Sequence, residues 1–448
     1  MKWSRYNRLF KSSKHGWLLY NSASNSFIKI DDTLYPEILR IQEDPNSFDF
    51  SKDPAFYFQL RTTGILVRER DDDTCRNLLK LGRLSNNYNT GHLLLTIAPT
   101  RACNFDCPYC YEKDRQPVFM SDETEDKVVE FIRRFQTVKR LSVTWYGGEP
   151  LLCFDRICTL TDKIQALSIP FDVLLVTNGF LLDAEKIEKL KDLRIGVIQI
   201  TLDGPEKTHN SRRPLKGGGA TFRTIFRNLE TLFEKWHGKV LLRVNIDEVN
   251  RDDYHLIHEQ LVEKLPKAYQ EKRLSIYPGL VHDFAGTNPD IGCLITPDKE
   301  AEFTVEQYSR HGIEDLKTFP GRYYAGCTAC RRNGFVIGPE GELYKCWDDI
   351  GIKEREIGSV WPGGTWNAAL TSDYLVASSY LDDPECLDCF FFPVCDGGCA
   401  HARLRNLLDG RQNQLCLKFK NHLQELLEIH YELKEKRADE KTDGQSSD

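Results

Sequence analysis

A chain of 448 residues, 40% hydrophobic and 28% charged, has room for two or three domains with buried cores at the usual size of about 100 to 200 residues each. Its formal net charge of -7 and lack of a long basic run argue against a nucleic-acid platform, which needs clustered Lys and Arg. No stretch of about 18 apolar residues occurs, and no apolar run follows the charged start Met1-Lys-Trp-Ser-Arg-Tyr, so the chain is expected to be cytoplasmic, with no membrane contact.

Residues 1–85 read as a separate module. Tyr6 to Phe10, Gly16 to Tyr20 and Ser26 to Ile30 are predicted strands divided by polar turns. Asp31-Asp32-Thr33 is placed to cap a helix running Leu34 to Gln42, a second helix is expected around Ala55 to Arg61, and Gly64 leads into an edge strand, Ile65 to Arg68. Strands, helices and a wing in this order resemble the winged-helix module called the RiPP recognition element, found on enzymes that modify ribosomally made peptides. The resemblance implies that a leader peptide pairs with an exposed sheet edge. A domain packed only for stability is the alternative.

Fifteen cysteines in so large a chain point to metal or redox chemistry rather than disulfides. Cys75, Cys153, Cys158 and Cys293 stand apart as isolated thiols, and the rest cluster. In Thr100-Arg-Ala-Cys103-Asn-Phe-Asp-Cys107-Pro-Tyr-Cys110-Tyr-Glu112 the C-x3-C-x2-C spacing can hold three irons of a 4Fe–4S cubane and leave the fourth open. Zinc would want four ligands in a closed site, and no His or fourth Cys follows nearby. The loop, with Tyr109 before its third cysteine, resembles the signature of the radical S-adenosylmethionine (radical SAM) superfamily. The resemblance implies SAM bound at the open iron, beside the Gly-rich turn Tyr146-Gly147-Gly148-Glu149-Pro150.

From about 90 to 280 six apolar runs, His92 to Ala98, Leu141 to Trp145, Asp172 to Thr177, Gly196 to Leu202, Val240 to Ile246 and Leu274 to Tyr277, alternate with amphipathic segments. These segments are Ser121 to Val138, Asp183 to Leu193, Thr221 to Trp236 and Asp253 to Leu265. The alternation predicts an α/β fold with a parallel sheet, and six units resemble the partial (β/α)6 barrel of radical SAM enzymes. Function in parallel barrels collects at the C-terminal ends of strands. There stand the cysteine loop, Gly147-Gly148-Glu149, Asn178 in Thr-Asn-Gly, Thr201-Leu-Asp-Gly-Pro205 and Arg243-Val-Asn245. Gly-Gly, Asn-Gly and Asp-Gly-Pro are each common plain turns, and it is their succession in strand order that carries the reading. The resemblance assigns SAM contacts to Tyr109, Gly147, Gly148, Glu149, Asn178, Thr201 and Arg213, with Arg243 and Asn245 as further candidates. The alternative for Arg213 is a surface arginine beside Arg212, and for Arg243 and Asn245 a buried pair stabilising the sheet.

Residues 281–325 read as a bridge, with loops at His282-Asp283-Phe284-Ala285-Gly286 and Thr287-Asn288-Pro289 before a helix near Pro297 to Gly312. His282 and Asp283 are possible proton-transfer groups, or a solvated pair. Over 326–420, Cys330, Gly341, Cys346, Cys386-x2-Cys389-x5-Cys395-x3-Cys399 and Cys416 resemble the SPASM domain, which carries two auxiliary iron-sulfur clusters. A pair of structural zinc sites is the alternative. The resemblance gives one cluster Cys327, Cys330, Cys346 and Cys399, and the other Cys386, Cys389, Cys395 and Cys416. Cys327 lies outside the seven-cysteine core. If it ligates, both clusters are closed; if not, one iron is free for a substrate thiolate. Residues 421–448 are expected to be a helix to about Arg437 and a polar tail.

By these resemblances the chain is a radical SAM/SPASM maturase that cleaves SAM and oxidatively crosslinks a ribosomally synthesised precursor peptide bearing a leader, with a thioether as the favoured bond and a carbon-carbon or carbon-oxygen bond as the runner-up. A flavodoxin- or ferredoxin-like protein would supply electrons. A formylglycine-forming sulfatase maturase and a non-catalytic zinc-binding adaptor are the alternatives. No catalytic acid or base is assigned.

Overall fold

The computed structural model describes residues 1–46, 48–112, 116–283, 296–324 and 326–443. Near the start, β1 (Lys2–Trp3) awaits a distant partner while β2 (Asn7–Ser12), β3 (Gly16–Asn21) and β4 (Ser26–Ile30) form an antiparallel meander, with Leu9, Leu19 and Ile28 side by side across it. That face packs on helices Tyr35–Glu43 and Pro54–Thr62 through Ile38, Ile41 and Leu60. The other face, Phe10, Tyr20 and Phe27, packs on Phe391, Phe419, Leu423 and Leu427 of the C-terminal third. A sheet covered on both sides explains why Leu18, Leu19 and Tyr20 are all buried in one strand. β5 (Leu66–Val67) then closes on β1.

Two details differ from the sequence expectation. Asp31 does not cap the first helix: its carboxylate accepts from Thr33 N (2.9 Å) and Thr33 Oγ1 (2.7 Å), closing the preceding turn, and the helix begins after Leu34 without a side-chain cap. A third helix, Asp71–Asn87, also follows β5. Its Leu78 and Leu81 face solvent while Asp72 and Arg83 are buried, so its apolar pattern does not announce a core-facing helix.

The six apolar runs become β6 (His92–Ile97), β7 (Arg140–Trp145), β8 (Phe171–Thr177), β9 (Ile195–Thr201), β10 (Lys239–Ile246) and β11 (Leu274–Leu280), all parallel and in chain order. The expected helices appear as Asp122–Arg133, Ala184–Lys189, Phe222–Lys235 and Tyr254–Lys264, and Phe154–Gln165 and Glu206–Arg212 join them. Ser121 and Asp183 cap their helices by accepting from Thr124 N and Lys186 N. The core runs the length of the sheet, through Leu95, Val143, Leu175, Ile198, Leu242 and Ile276. Each such fully buried side chain contributes about 1.5–3 kcal/mol.

Beyond β6 the same sheet continues into β12 (Gly334–Ile337), parallel to β6, then β13 (Glu342–Tyr344) and β14 (Gly358–Ser359), antiparallel. Helix Pro297–His311 ends at Gly312 in the left-handed conformation (φ 67°) and packs along helix Phe419–Asp443. That last helix runs past Arg437, where a tail was expected, because Ala438, Glu440 and Lys441 are good helix formers and no breaker precedes Gly444.

Candidate active site

The C-terminal ends of β6 to β11 share one face. The loop after β6 is clamped there by main-chain bonds, from Gly148 N to Thr100 O (3.2 Å) and Glu149 N to Ala102 O (2.8 Å) on one side. On the other side are Asp106 N to Pro214 O (2.9 Å) and Lys216 N to Asn104 O (2.8 Å). The fit demands glycine: a Cβ at Gly147 (φ +115°) would lie 2.4 Å from Thr100 O, and one at Gly148 2.2 Å from Ala102 O. Cys103, Cys107 and Cys110 are free thiols on this loop. Burial raises all three, Cys103 and Cys110 to about 12, so thiolates here need a cation, which an iron core supplies.

Glu149 is fully buried, and burial raises its pKa. Its carboxylate accepts from Thr177 Oγ1 (2.7 Å), Leu151 N (3.0 Å) and Asn178 N (2.7 Å), joining the ends of β7 and β8, so what the position offers a ligand is main chain. Asn178 Nδ2 donates to Asn104 Oδ1 (2.7 Å) in the cysteine loop.

Tyr109 is the meeting point of the rest. Its hydroxyl donates to Asp203 Oδ2 (2.6 Å) and accepts from Arg213 Nη1 (2.8 Å) and Asn245 Nδ2 (3.1 Å). Thr201 and Arg243 are cross-strand neighbours on β9 and β10, and Gly279 leaves room for the arginine, since a Cβ there would lie 2.0 Å from its Nε. Among the described residues Asn104 Nδ2, Asp203 Oδ1, Arg213 Nε, Arg243 Nε and Asn245 Oδ1 are buried without a hydrogen-bond partner. Orphaned donors and acceptors on one face suit a polar, zwitterionic ligand such as the methionyl end of SAM.

Sequence reasoning gave Arg212 and Asp203 no role of their own. Arg212 bonds both oxygens of Asp247 (3.2 and 2.9 Å) and lies 4.9 Å from the Tyr109 ring centre, so Arg212 is largely enclosed and Arg213 buried, and neither is a surface arginine. The available signal was Asp203 and Asp247 standing just past the ends of two strands. Behind them His209 is fully buried; its Nδ1 accepts from Asp203 N (3.2 Å), leaving Nε2–H for Thr221 Oγ1 (3.1 Å). Burial, with Arg213 beside it, holds His209 well below the usual histidine range.

The later cysteines form two groups. Cys327 and Cys330 are hydrogen-bonded, which pulls Cys327 down to about 6 and pushes Cys330 up, and Cys399 lies within electrostatic reach of both. Cys399 likewise reaches Cys346. In the second group Cys386 and Cys389 both raise Cys395, and Lys420 joins Cys416 to Cys389. Every sulfur of the second group receives an N–H: from Arg403 to Cys386 (3.7 Å), Phe391 N to Cys389 (3.4 Å), Gly397 N to Cys395 (3.2 Å) and Lys420 to Cys416 (3.3 Å). That donor set suits iron-sulfur thiolates.

Between the cysteine loop and the first of these groups lies an aromatic contact. The Tyr111 and Tyr146 hydroxyls are hydrogen-bonded, and Tyr146 stacks on Trp347 (5.3 Å, 18°), the residue after Cys346. Asp348 stands 3.4 Å from His282 Nε2 and 3.6 Å from His401 Nδ1. Cys346, Asp348 and His401 offer ligand atoms within 4.8 Å of one another. Asp283 is described, while Phe284 to Pro289 lie outside the described residues.

Residues 97–261 match the Radical SAM superfamily. The chain carries a radical SAM domain. It is a radical SAM enzyme, working with SAM and 4Fe–4S clusters, and the buried thiols and orphaned polar atoms fit that pair of cofactors. It is 24% identical over 370 residues to the serine-type anaerobic sulfatase-maturating enzyme of Bacteroides thetaiotaomicron, covering 74% of this chain and 89% of that one. In fold it is similar to native anSMEcpe with bound AdoMet and Kp18Cys peptide (TM-score 0.56, 20% identical, 76% of this chain and 97% of that chain). It is also similar to Streptococcus suis SuiB bound to the precursor peptide SuiA (TM-score 0.51, 15% identical, 93% and 98%). No helix among the described residues is long and apolar enough to cross a membrane.

Proposed function

We propose that this radical SAM enzyme matures a ribosomally synthesised precursor peptide by oxidative crosslinking, with a thioether as the bond formed. The observation that carries the reading is the N-terminal meander: three antiparallel strands followed by three helices, with the outer edge of β4 unpaired among the described residues. Such an edge can take a leader peptide as a further strand. The likeness to SuiB spans 93% of the chain, leaving a remainder smaller than this module, whereas the likeness to anSMEcpe spans 76%. That SuiB structure holds the precursor peptide SuiA.

Residues 1–85 are then a recognition module, 90–280 the radical SAM barrel, 281–325 a bridge, 326–420 a SPASM domain and 421–448 a C-terminal extension. Cys103, Cys107 and Cys110 would hold the SAM-binding cluster, with Tyr109, Gly147, Gly148, Glu149, Asn178, Thr201, Arg213, Arg243 and Asn245 framing SAM. Cys327, Cys330, Cys346 and Cys399, and Cys386, Cys389, Cys395 and Cys416, would hold two closed auxiliary clusters. When bound, the SAM-binding cluster and SAM supply a 5′-deoxyadenosyl radical that takes one hydrogen atom from the peptide. The crosslink must then lose one proton and one electron. His282, just past β11 and 3.4 Å from Asp348, would take the proton, and Cys327, Cys330, Cys346 and Cys399 would hold a cluster able to accept the electron. With four thiols in each later group, the substrate sulfur is held by protein contacts rather than by iron.

A second reading, oxidation of a Ser or Cys to formylglycine, is favoured by the likeness to the Bacteroides enzyme. One experiment separates them. Reconstituted enzyme, SAM, a strong reductant or a flavodoxin-like protein, and a leader-bearing peptide are incubated anaerobically, with and without the leader. A leader-dependent loss of two hydrogens per crosslink, with no aldehyde-reactive product, is expected. An aldehyde formed without need of a leader would replace this reading with the second.

A further inference from the structure

The first of the later cysteine groups contains a buried charge with no acid to match it among the described residues. Lys345, immediately before Cys346, is fully buried. Its ammonium donates to Gly334 O (2.7 Å) and Arg331 O and lies 5.3 Å from the Phe335 ring centre. Among the described residues no carboxylate pairs with it; its two carbonyl partners belong to the turn that follows Cys330, and although burial lowers its pKa to about 8, the sulfurs of Cys330 and Cys327 favour the ammonium. The carboxylates near this group act elsewhere, Asp396 on Cys327, and Asp348 and Asp349 on Cys346. Arg331, half-buried, is a second cation that among the described residues donates only to carbonyls, those of Gly326 (3.2 Å) and Asn86 (2.7 Å). Removing an ammonium from water with only carbonyls as partners is strongly unfavourable unless a counter-charge occupies the same place.

We propose that Lys345 is the built-in counter-charge of the iron-sulfur group held by Cys327, Cys330, Cys346 and Cys399, and that it sets the reduction potential of that group. The proposal rests on the auxiliary-cluster reading above. A 4Fe–4S core with its thiolates is an anion, and one-electron reduction makes it more negative, so a fixed neighbouring ammonium favours the reduced form. Raising the potential in this way makes the site a readier acceptor for the electron that crosslinking releases.

The test is an anaerobic potentiometric titration followed by electron paramagnetic resonance, in a Cys103→Ala/Cys107→Ala/Cys110→Ala background so that only auxiliary clusters report. Lys345→Gln keeps donors for the two carbonyls but loses the charge. It is expected to move one of two midpoint potentials negative by at least about tenfold in the reduction equilibrium, about 59 mV for one electron. Lys345→Met should do the same, and Lys345→Arg should stay near the parent. Full iron content with neither potential moved in the Gln and Met variants overturns the proposal. Loss of iron in both neutral variants but not in Lys345→Arg supports it, and loss in all three overturns it. A parent that binds iron for fewer than two clusters would instead refute the auxiliary-cluster reading.

Discussion

The Tyr109 hydroxyl holds three groups in one arrangement, Asp203 just past β9, Arg213 at the C-terminus of helix Glu206–Arg212, and Asn245 of β10. Tyr109→Phe leaves Arg213 Nη1 and Asn245 Nδ2 without their shared acceptor, a cost of about 1–3 kcal/mol for buried polar groups stripped of a partner. Urea denaturation should record that loss, and SAM affinity measured by calorimetry should fall by about tenfold, since the orphaned atoms beside Tyr109 lose their fixed positions. Unaltered SAM affinity would remove Tyr109 from the cofactor site. Glycine makes a sharper comparison. At Gly148 an added methyl meets the Ala102 carbonyl, which is backbone and cannot yield, whereas at Gly217 (φ +81°) it meets nothing within 4 Å. Gly217→Ala should therefore cost only about 1–2 kcal/mol of left-handed strain, and Gly148→Ala should lose both stability and the iron of the cysteine loop. Equal iron content in the two variants would show that the clamp between the two loops is dispensable.

At the scale of elements, the six parallel strands were legible because each short run carries its buried apolar residues at every second position, Leu141, Val143 and Trp145 in β7 and Val240, Leu242, Val244 and Ile246 in β10, and their C-terminal residues could then be placed on one face from the alternation of strand and helix alone. Helix Asp71–Asn87 was not legible, because Leu78 and Leu81 are exposed and the buried residues are Asp72 and Arg83. Nor was the extension of the barrel sheet by β12 and β13, since strands of four and three residues carry little periodicity and the partner strand, β6, lies far away in the chain. That extension has a consequence for the site. The hairpin sets Cys330 before its first strand and Cys346 after its second, and Arg101 of the cysteine loop reaches Glu340 (3.0 Å) in its turn. The motif glycine, Gly341 (φ +83°), sits in that turn, where a Cβ would lie 2.6 Å from Val360. Gly341→Ala is expected to displace the hairpin and lower iron content by about one cluster while the Cys103 loop keeps its own, read by iron analysis with and without the Cys103→Ala change. Retention of all iron would mean that the hairpin does not place Cys330 and Cys346.

Over the whole molecule, the N-terminal meander is not an appendage: Tyr20, Phe10 and Phe27 share a core with Phe391 and the last helix, and Arg83 donates to the carbonyls of Tyr323, Phe392 and Pro393. Removing residues 1–85 would strip that core, so omission of the leader is the cleaner test of recognition than deletion of the module. The same integration makes global stability responsive to a single buried group. His209 is neutral in the folded protein, its Nδ1 occupied by Asp203 N, and its pKa is held well below the usual value by burial. The unfolded chain binds a proton at this residue below about pH 6.5, while the folded chain does not until far lower pH, so the unfolded state holds more protons in between and stability falls as pH falls. The loss amounts to about 1.4 kcal/mol per pH unit below about pH 6.5. His209→Gln is destabilised by lost packing at all pH values but has no such proton to bind. The stability difference between wild type and His209→Gln, from urea titrations of the apoprotein, should therefore narrow by about 1.4 kcal/mol between about pH 7.5 and about pH 5.5. A difference that stays constant across that interval would mean that His209 becomes protonated within the folded structure. The contact with Asp203 N that organises this end of β9 would then have been given up.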